Sequence, residues 1–342
     1  MKYNKKISIL FFSIIFLISA CQTSTIKTKD IDVRVGFSGL ITEFLKNTPP
    51  PKVFEDDILP VAVKIKNGGA YSIINNEAIL ALGVEKDYTK KIELLSTGSV
   101  MNDIGKSAKF NLEGKSQLNP NGEELLISYN VFAGKVDPQS EFHTSTVTAN
   151  LCYPYETIFS STICVDTDTS GLRPGKKVCS VQDLAPAAGQ GGPIAVTKVE
   201  ISMLPTEIGQ NSQARRIRPQ FLILIENKGP GTPVKKDSTR DFCARTETPN
   251  VNFNENLNRI KVSAFLSTQE LYCTPKEKIE GVESEENHAM AKLKDKKELI
   301  RCTLNEGLDA TQDSYLSPFT ITLTYGYTQS ISASYLIQKA AR

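Results

Sequence analysis

The chain has 342 residues, 40 basic and 38 acidic side chains, and 40% apolar residues without a single tryptophan. A composition of that kind belongs to a folded globular protein and excludes disorder over most of its length. The near balance of charge, with no lysine cluster interleaved with aromatics, excludes nucleic acid as a partner, because phosphate binding needs a concentrated basic surface.

The first residues read as an export signal. Lys2, Lys5 and Lys6 give a basic start, Ile7 to Ile18 an apolar core, and Ser19-Ala20 a small-residue stretch before Cys21, which is a lipobox pattern. The apolar run is shorter than the ~20 residues of a membrane-spanning helix, so residues 1–20 are expected to be removed and the membrane to be held through lipid on Cys21. Removal takes away three lysines and no acids, which leaves 37 basic against 38 acidic residues. Residues 21–30 are small and polar, as suits a lipidated tether, and folding is expected to begin near Ile31. These features predict an extracytoplasmic, lipid-anchored protein.

From Ile31 onward, short β-rich runs alternate with turn residues. Val61 to Ile65, Leu125 to Tyr129 and Phe319 to Tyr325 show period-two patterning, and Asn67-Gly68-Gly69, Asn119 to Gly122 and Lys228 to Gly231 read as turns. The chain also repeats itself at a shift of about 160 to 170 residues. Val63-Lys64-Ile65-Lys66-Asn67-Gly68-Gly69 matches Ile223-Leu224-Ile225-Glu226-Asn227-Lys228-Gly229, and Val147 to Tyr155 matches Phe319 to Tyr327. Both copies run on through a Ser/Thr-rich stretch, read as a hairpin, into a last strand at Thr162 to Val165 and Ser334 to Ile337. Val147, Ala149, Leu151 and Tyr153 are expected to face one core, and Phe319, Ile321, Leu323 and Tyr325 another. The expected fold is therefore all-β, two tandem antiparallel β-sandwich domains at 31–165 and 195–338. Residues 166–194, rich in glycine and proline, read as a linker, with Gly189 to Gly192 as a flexible hinge.

Six cysteines follow Cys21, an even number that in an exported chain suggests disulfides. Local pairing joins Cys164 to Cys179 and Cys273 to Cys302, which leaves Cys152 and Cys243. Between Cys273 and Cys302 the charged stretch 281–301 reads as a short helix or loop inserted in the second domain. At the strand-Asn-Gly block and the Leu-x-Tyr-x-Tyr block, Leu151 to Tyr155, the sequence resembles tandem immunoglobulin-like modules of the CARDB kind. With Cys164, Cys179 and Gly189 to Pro193 it is also similar to uncharacterised exported proteins of small-genome archaea. That resemblance implies adhesion, scaffolding or assembly, with a protein partner at the cell surface, and brings no catalytic residues with it.

The residues themselves offer little chemistry. No zinc spacing occurs around the cysteines or around His143 and His288, and no phosphate-binding loop is present. Ser145 stands near His143, but no nucleophile elbow surrounds it, and neighbouring strand positions point to opposite faces. Asp166, Asp168 and Ser170 resemble the start of a calcium loop, yet Lys177 takes the place of its closing glutamate. The expectation is a non-catalytic surface module without a cofactor. The alternative is a lipoprotein that captures a sugar, peptide or other small molecule between its domains, with Tyr153, Tyr155, Tyr325 and Tyr327 as candidate cleft aromatics.

Overall fold

The computed structural model describes residues 32–95, 101–103, 107–169, 171–172, 176–206, 216–243, 253–279, 281–310 and 314–340. Residues 1–20, Cys21, the tether and Ser170 lie outside the described residues.

The fold is all-β and dominated by antiparallel pairing. The first half contributes β1 (Leu40–Phe44), β2 (Lys52–Phe54), β3 (Ile58–Asn67), β4 (Ile73–Gly83) and β5 (Thr89–Leu95). It continues with β6 (Met101–Asp103), β7 (Ser107–Leu112), β8 (Glu124–Ala133) and the long β9 (Phe142–Asp166). The second half holds β10 (Ile194–Thr206), β11 (Arg216–Asn227) and β12 (Thr232–Val234), then a 3-10 turn at Lys236–Ser238 leading into α1 (Thr239–Cys243) and α2 (Phe253–Asn256). Next come β13 (Arg259–Leu266), β14 (Gln269–Glu270), β15 (Tyr272–Thr274), β16 (Lys278–Ile279) and β17 (Val282–Glu283). The chain ends with β18 (Ala289–Lys292), β19 (Lys297–Thr303), β20 (Leu308–Asp309) and a second long strand, β21 (Ser314–Gln338).

The two halves are built alike. The first has a four-stranded sheet, β1-β3-β8-β5, and the second a five-stranded one, β10-β11-β19-β15 with β20 also paired to β11. Opposite each lies a sheet that contains the long strand of that half, flanked by β4 in the first and β13 in the second. Alternating apolar side chains on facing sheets form the core, which is the arrangement a sandwich needs to bury one face of every strand.

The long strands correct the expected domain division. β9 and β21 pair antiparallel along all 25 residues, from Phe142 opposite Gln338 to Asp166 opposite Ser314. Tyr153 and Tyr155 occupy the repeat positions of Tyr325 and Tyr327, an offset of 172 residues, and at that same offset Pro154 sits directly opposite Gly326. A pseudo-two-fold axis therefore passes through the Pro154/Gly326 pair. On one side of it the first half of β9 and the second half of β21 belong to lobe 1; on the other side the assignments reverse. Tyr335 and Ile337 are buried at the lobe 1 end, and Phe159, Ile163 and Val165 at the lobe 2 end. The described residues of the two expected domains thus form two lobes that exchange strand halves across one sheet, and their buried apolar side chains form one continuous cluster.

Three further expectations are corrected. The Ser/Thr-rich stretches are strand interior rather than hairpins: Ser160, Ser330 and Ser332 point to the outer face while Phe159 and Ile163 are buried. The charged stretch 281–301 is β-structure, not helix, with Ala289, Met290, Leu293 and Ile300 all buried. The helical residues lie instead in α1 and α2. Lastly, residues 190–193 at the end of the expected linker are buried, so they do not form a loose hinge.

Candidate functional site

Four tyrosines flank the pseudo-two-fold axis, opposed as Tyr155 to Tyr325 and Tyr153 to Tyr327. Alternation along the strands points all four to the inner face, where Tyr153 and Tyr325 are fully buried. Their rings meet edge-on or tilted at centroid distances of 5.7 to 6.3 Å. Every hydroxyl has a partner, and the partners repeat. Tyr153 Oη accepts from the Leu40 N–H at 3.1 Å, and Tyr325 Oη accepts from the Ile194 N–H at 3.3 Å. Leu40 and Ile194 are themselves equivalent, since they pair with Asn67 and Asn227. Tyr155 Oη accepts from the Tyr71 N–H, and Tyr327 Oη from the Gly231 N–H.

Asn67 and Asn227, the repeated asparagines of the sequence, complete this seam. Each is buried; its Nδ2 donates to the carbonyl four residues on, at Tyr71 or Gly231, and its Oδ1 accepts from the N–H two residues on, at Gly69 or Gly229. The Asn-x-Gly signal is therefore a buried clamp that ties each lobe's turn to the tyrosines. The glycine is needed on steric grounds: a Cβ on Gly69 would lie 1.9 Å from Tyr155 Oη and 2.5 Å from the Gly191 carbonyl. Burial lifts the phenols of Tyr153, Tyr155 and Tyr325 well above the ordinary tyrosine range and pushes Tyr327 up to about 12.

The buried linker end threads one side of this seam. Tyr155 Oη donates to the Gly191 carbonyl at 2.8 Å, and the Gln190 amide bonds both the N–H and the carbonyl of Val196. Beside Pro193 and the turn at 228–230 a groove of about 470 Å³ opens, bordered by Ile41, Tyr153, Tyr327 and Gln329. Its tyrosines are already hydrogen-bonded to protein, and Gln329 Nε2 is held by the Leu40 carbonyl and Thr42. The groove therefore offers shape and apolar surface rather than a set of converging charges. The four candidate cleft aromatics are brought together, as a core seam.

His143 and Ser145 are two residues apart and so share the inner face, which corrects the reading that put them on opposite faces. His143 Nε2 lies 2.9 Å from Glu85 Oε2, and its ring stacks on Tyr88 with centroids 3.5 Å apart, while the Tyr88 hydroxyl donates to Asp137. The imidazole beside it holds the Glu85 carboxyl below its ordinary value. Ser145 is fully buried, which closes its hydroxyl to any substrate. Sequence reading missed Glu85 because it enters from the loop after β4, 58 residues away from His143.

Asp166 and Asp168 are brought together around Lys177, whose ammonium lies 2.7 Å from Asp166 Oδ2 and 3.8 Å from Asp168 Oδ2. The space that a cation would take is filled by a side chain of the protein. No group of three metal-ligating side chains occurs among the described residues. The six cysteines are joined as Cys152–Cys243, Cys164–Cys179 and Cys273–Cys302. The first holds α1 against the outer face of the shared sheet, the second covers the lobe 2 end of β9, and the third links β15 to β19. No helix among the described residues is long and apolar enough to cross a membrane.

No family model matches the chain, and no curated protein matches it. Among solved structures it is similar to an entry described as "Enterococcal surface protein, partial N-terminal region", with 8% identity over 84% of each chain and a TM-score of 0.20. A superposition of that quality carries no inference about fold or role.

Proposed function

We propose that this chain is a non-catalytic structural or adhesion module, held outside the cytoplasmic membrane by lipid on Cys21, whose two lobes act as one stiff body that engages a protein partner at the cell surface. The observation that carries this reading is the unbroken pairing of β9 with β21. An uninterrupted strand of 25 residues spans about 80 Å at the usual rise, and both lobes are built onto it. Lobes joined through one sheet, one core and a seam with satisfied hydroxyls do not hinge like tethered domains, which suits a spacer better than a clamp that closes on cargo. The export pattern and the three disulfides support an oxidising location.

The groove beside Tyr153 and Tyr327 supports a second reading, capture of a small sugar or peptide. Two measurements separate them. Crosslinking on intact cells is expected to recover a protein partner, and a thermal-shift screen against neutral sugars, peptides and divalent ions is expected to leave the melting temperature unchanged. Strong stabilisation by a compound from that screen, abolished by filling the groove with Ile41→Trp, transfers the assignment to capture. Cys21→Ser is expected to move the protein from the membrane fraction to the soluble one; retention in the membrane fraction overturns the lipid anchor.

A further inference from the structure

The outer faces of the sheets β1-β3-β8-β5 and β10-β11-β19-β15 are equivalent by the internal repeat, so each serves as a reference for the other. In lobe 1, cations are paired with acids: Lys64 with Glu43 and Lys66 with Glu124 across neighbouring strands, and Lys91 with Glu93 along β5. Lobe 2 differs. Gln220, Thr303 and Tyr272 form one row across β11, β19 and β15, and Leu222, Arg301 and Thr274 form the next. Arg218 stands one outward position before Gln220 on β11. Arg218 and Arg301 are exposed, and among the described residues neither guanidinium has an acid within ion-pair distance. By register, the lobe 1 positions equivalent to Arg218 and Arg301 hold Ile58 and Ser128, so the repeat does not require a cation at either place.

Between these side chains lies a depression of about 260 Å³, bordered by Arg218, Gln220, Tyr272, Arg301, Thr303 and Asn305 and by no acid. Two planar forks that can each grip a carboxylate, separated by an amide, hydroxyls and an aromatic ring, match a chain that alternates carboxylates with hydroxyls. We infer that this face of lobe 2 binds an acidic polysaccharide, with Arg218 and Arg301 on its carboxylates and Gln220, Thr303 and Asn305 on its hydroxyls. A polyanionic peptide would use the arginines but leave the neutral hydrogen-bonding groups between them idle. The inference deepens the adhesion reading by naming what the module adheres to.

The test is binding of polygalacturonate to the purified full chain in detergent, measured by calorimetry, with neutral dextran and poly-L-glutamate as the other arms. Polygalacturonate is expected to bind, more weakly as salt rises. Arg218→Gln with Arg301→Gln is expected to weaken it by at least about tenfold, the usual scale for charged hydrogen bonds, at an unchanged melting temperature. Lys64→Gln with Lys66→Gln on the lobe 1 face is expected to leave binding as it is. The inference is overturned by no binding, by binding that survives the arginine changes, by equal binding of dextran, or by poly-L-glutamate binding as tightly. This measurement does not depend on where the chain resides or on a protein partner, so it and the cell crosslinking can fail separately.

Discussion

Asn227 shows how much a single side chain can hold. Its amide meets the Gly231 carbonyl, the Gly229 N–H and the Tyr327 hydroxyl, so Asn227→Ala leaves several buried polar groups without a partner. The expected loss is about 1–3 kcal/mol of unfolding free energy, read by urea denaturation, and Asn67→Ala should behave alike at the equivalent turn. The tyrosines add a pH dependence. Their folded pKa values are raised above the unfolded value of about 10, so the neutral phenols' stabilisation is complete below that pH and is lost as pH climbs toward the folded values, about 12 for Tyr327. Urea midpoints should hold to about pH 9 and fall steeply from pH 10 to 12; a flat profile across that window contradicts the buried seam. At this scale the sequence was partly readable. The paired asparagines and tyrosines stand out as repeated blocks, but nothing local says that the hydroxyls would bond the turns, because Tyr327 and Asn227 lie 100 residues apart.

The 3-10 turn and α1 cross the shared sheet on its outer side, over the axis. Thr239 is buried there, and a Cβ on Gly326 would come within 2.1 Å of its hydroxyl, so the close approach depends on glycine. The Cys152–Cys243 bond fixes this element from 91 residues away. Cys152→Ser with Cys243→Ser should remove about 4–5 kcal/mol by the loop-entropy account, lowering the melting temperature while far-ultraviolet dichroism stays that of a β protein. The stretch 281–301 shows why an element can be misread. Met290 and Leu293 are spaced like a helical face, and the turn that breaks the run uses Asp295 and Lys296, both at positive φ, where asparagine or glycine would have announced it. The Ser/Thr stretches misled for the opposite reason. Their outward side chains are small and polar, which looks like a turn although the period of two continues through them.

The molecule as a whole should melt in one transition, because each lobe contains strand from both halves of the chain. Calorimetry is expected to give a van't Hoff enthalpy equal to the calorimetric one, whereas two separate endotherms would mean independent domains. That the sequence is duplicated was legible; that the duplicated strands join each other was not, since a repeat establishes likeness and leaves open which edge meets which. The apolar alternation of Phe159, Ile163, Val165, Tyr335 and Ile337 carries the signal, but it does not say which lobe receives them. The exchange also sets an order of events during synthesis. The partners of residues 154–166 are residues 314–326, and lobe 1 waits for residues 326–338 to supply its last strand, so neither lobe can be finished until that second long strand has been made. Pairings this distant in sequence form slowly and leave an apolar strand edge bare in the meantime. A nascent chain halted before residue 314 should be degraded readily by protease, and crowded chains should trade their unfinished edges with one another.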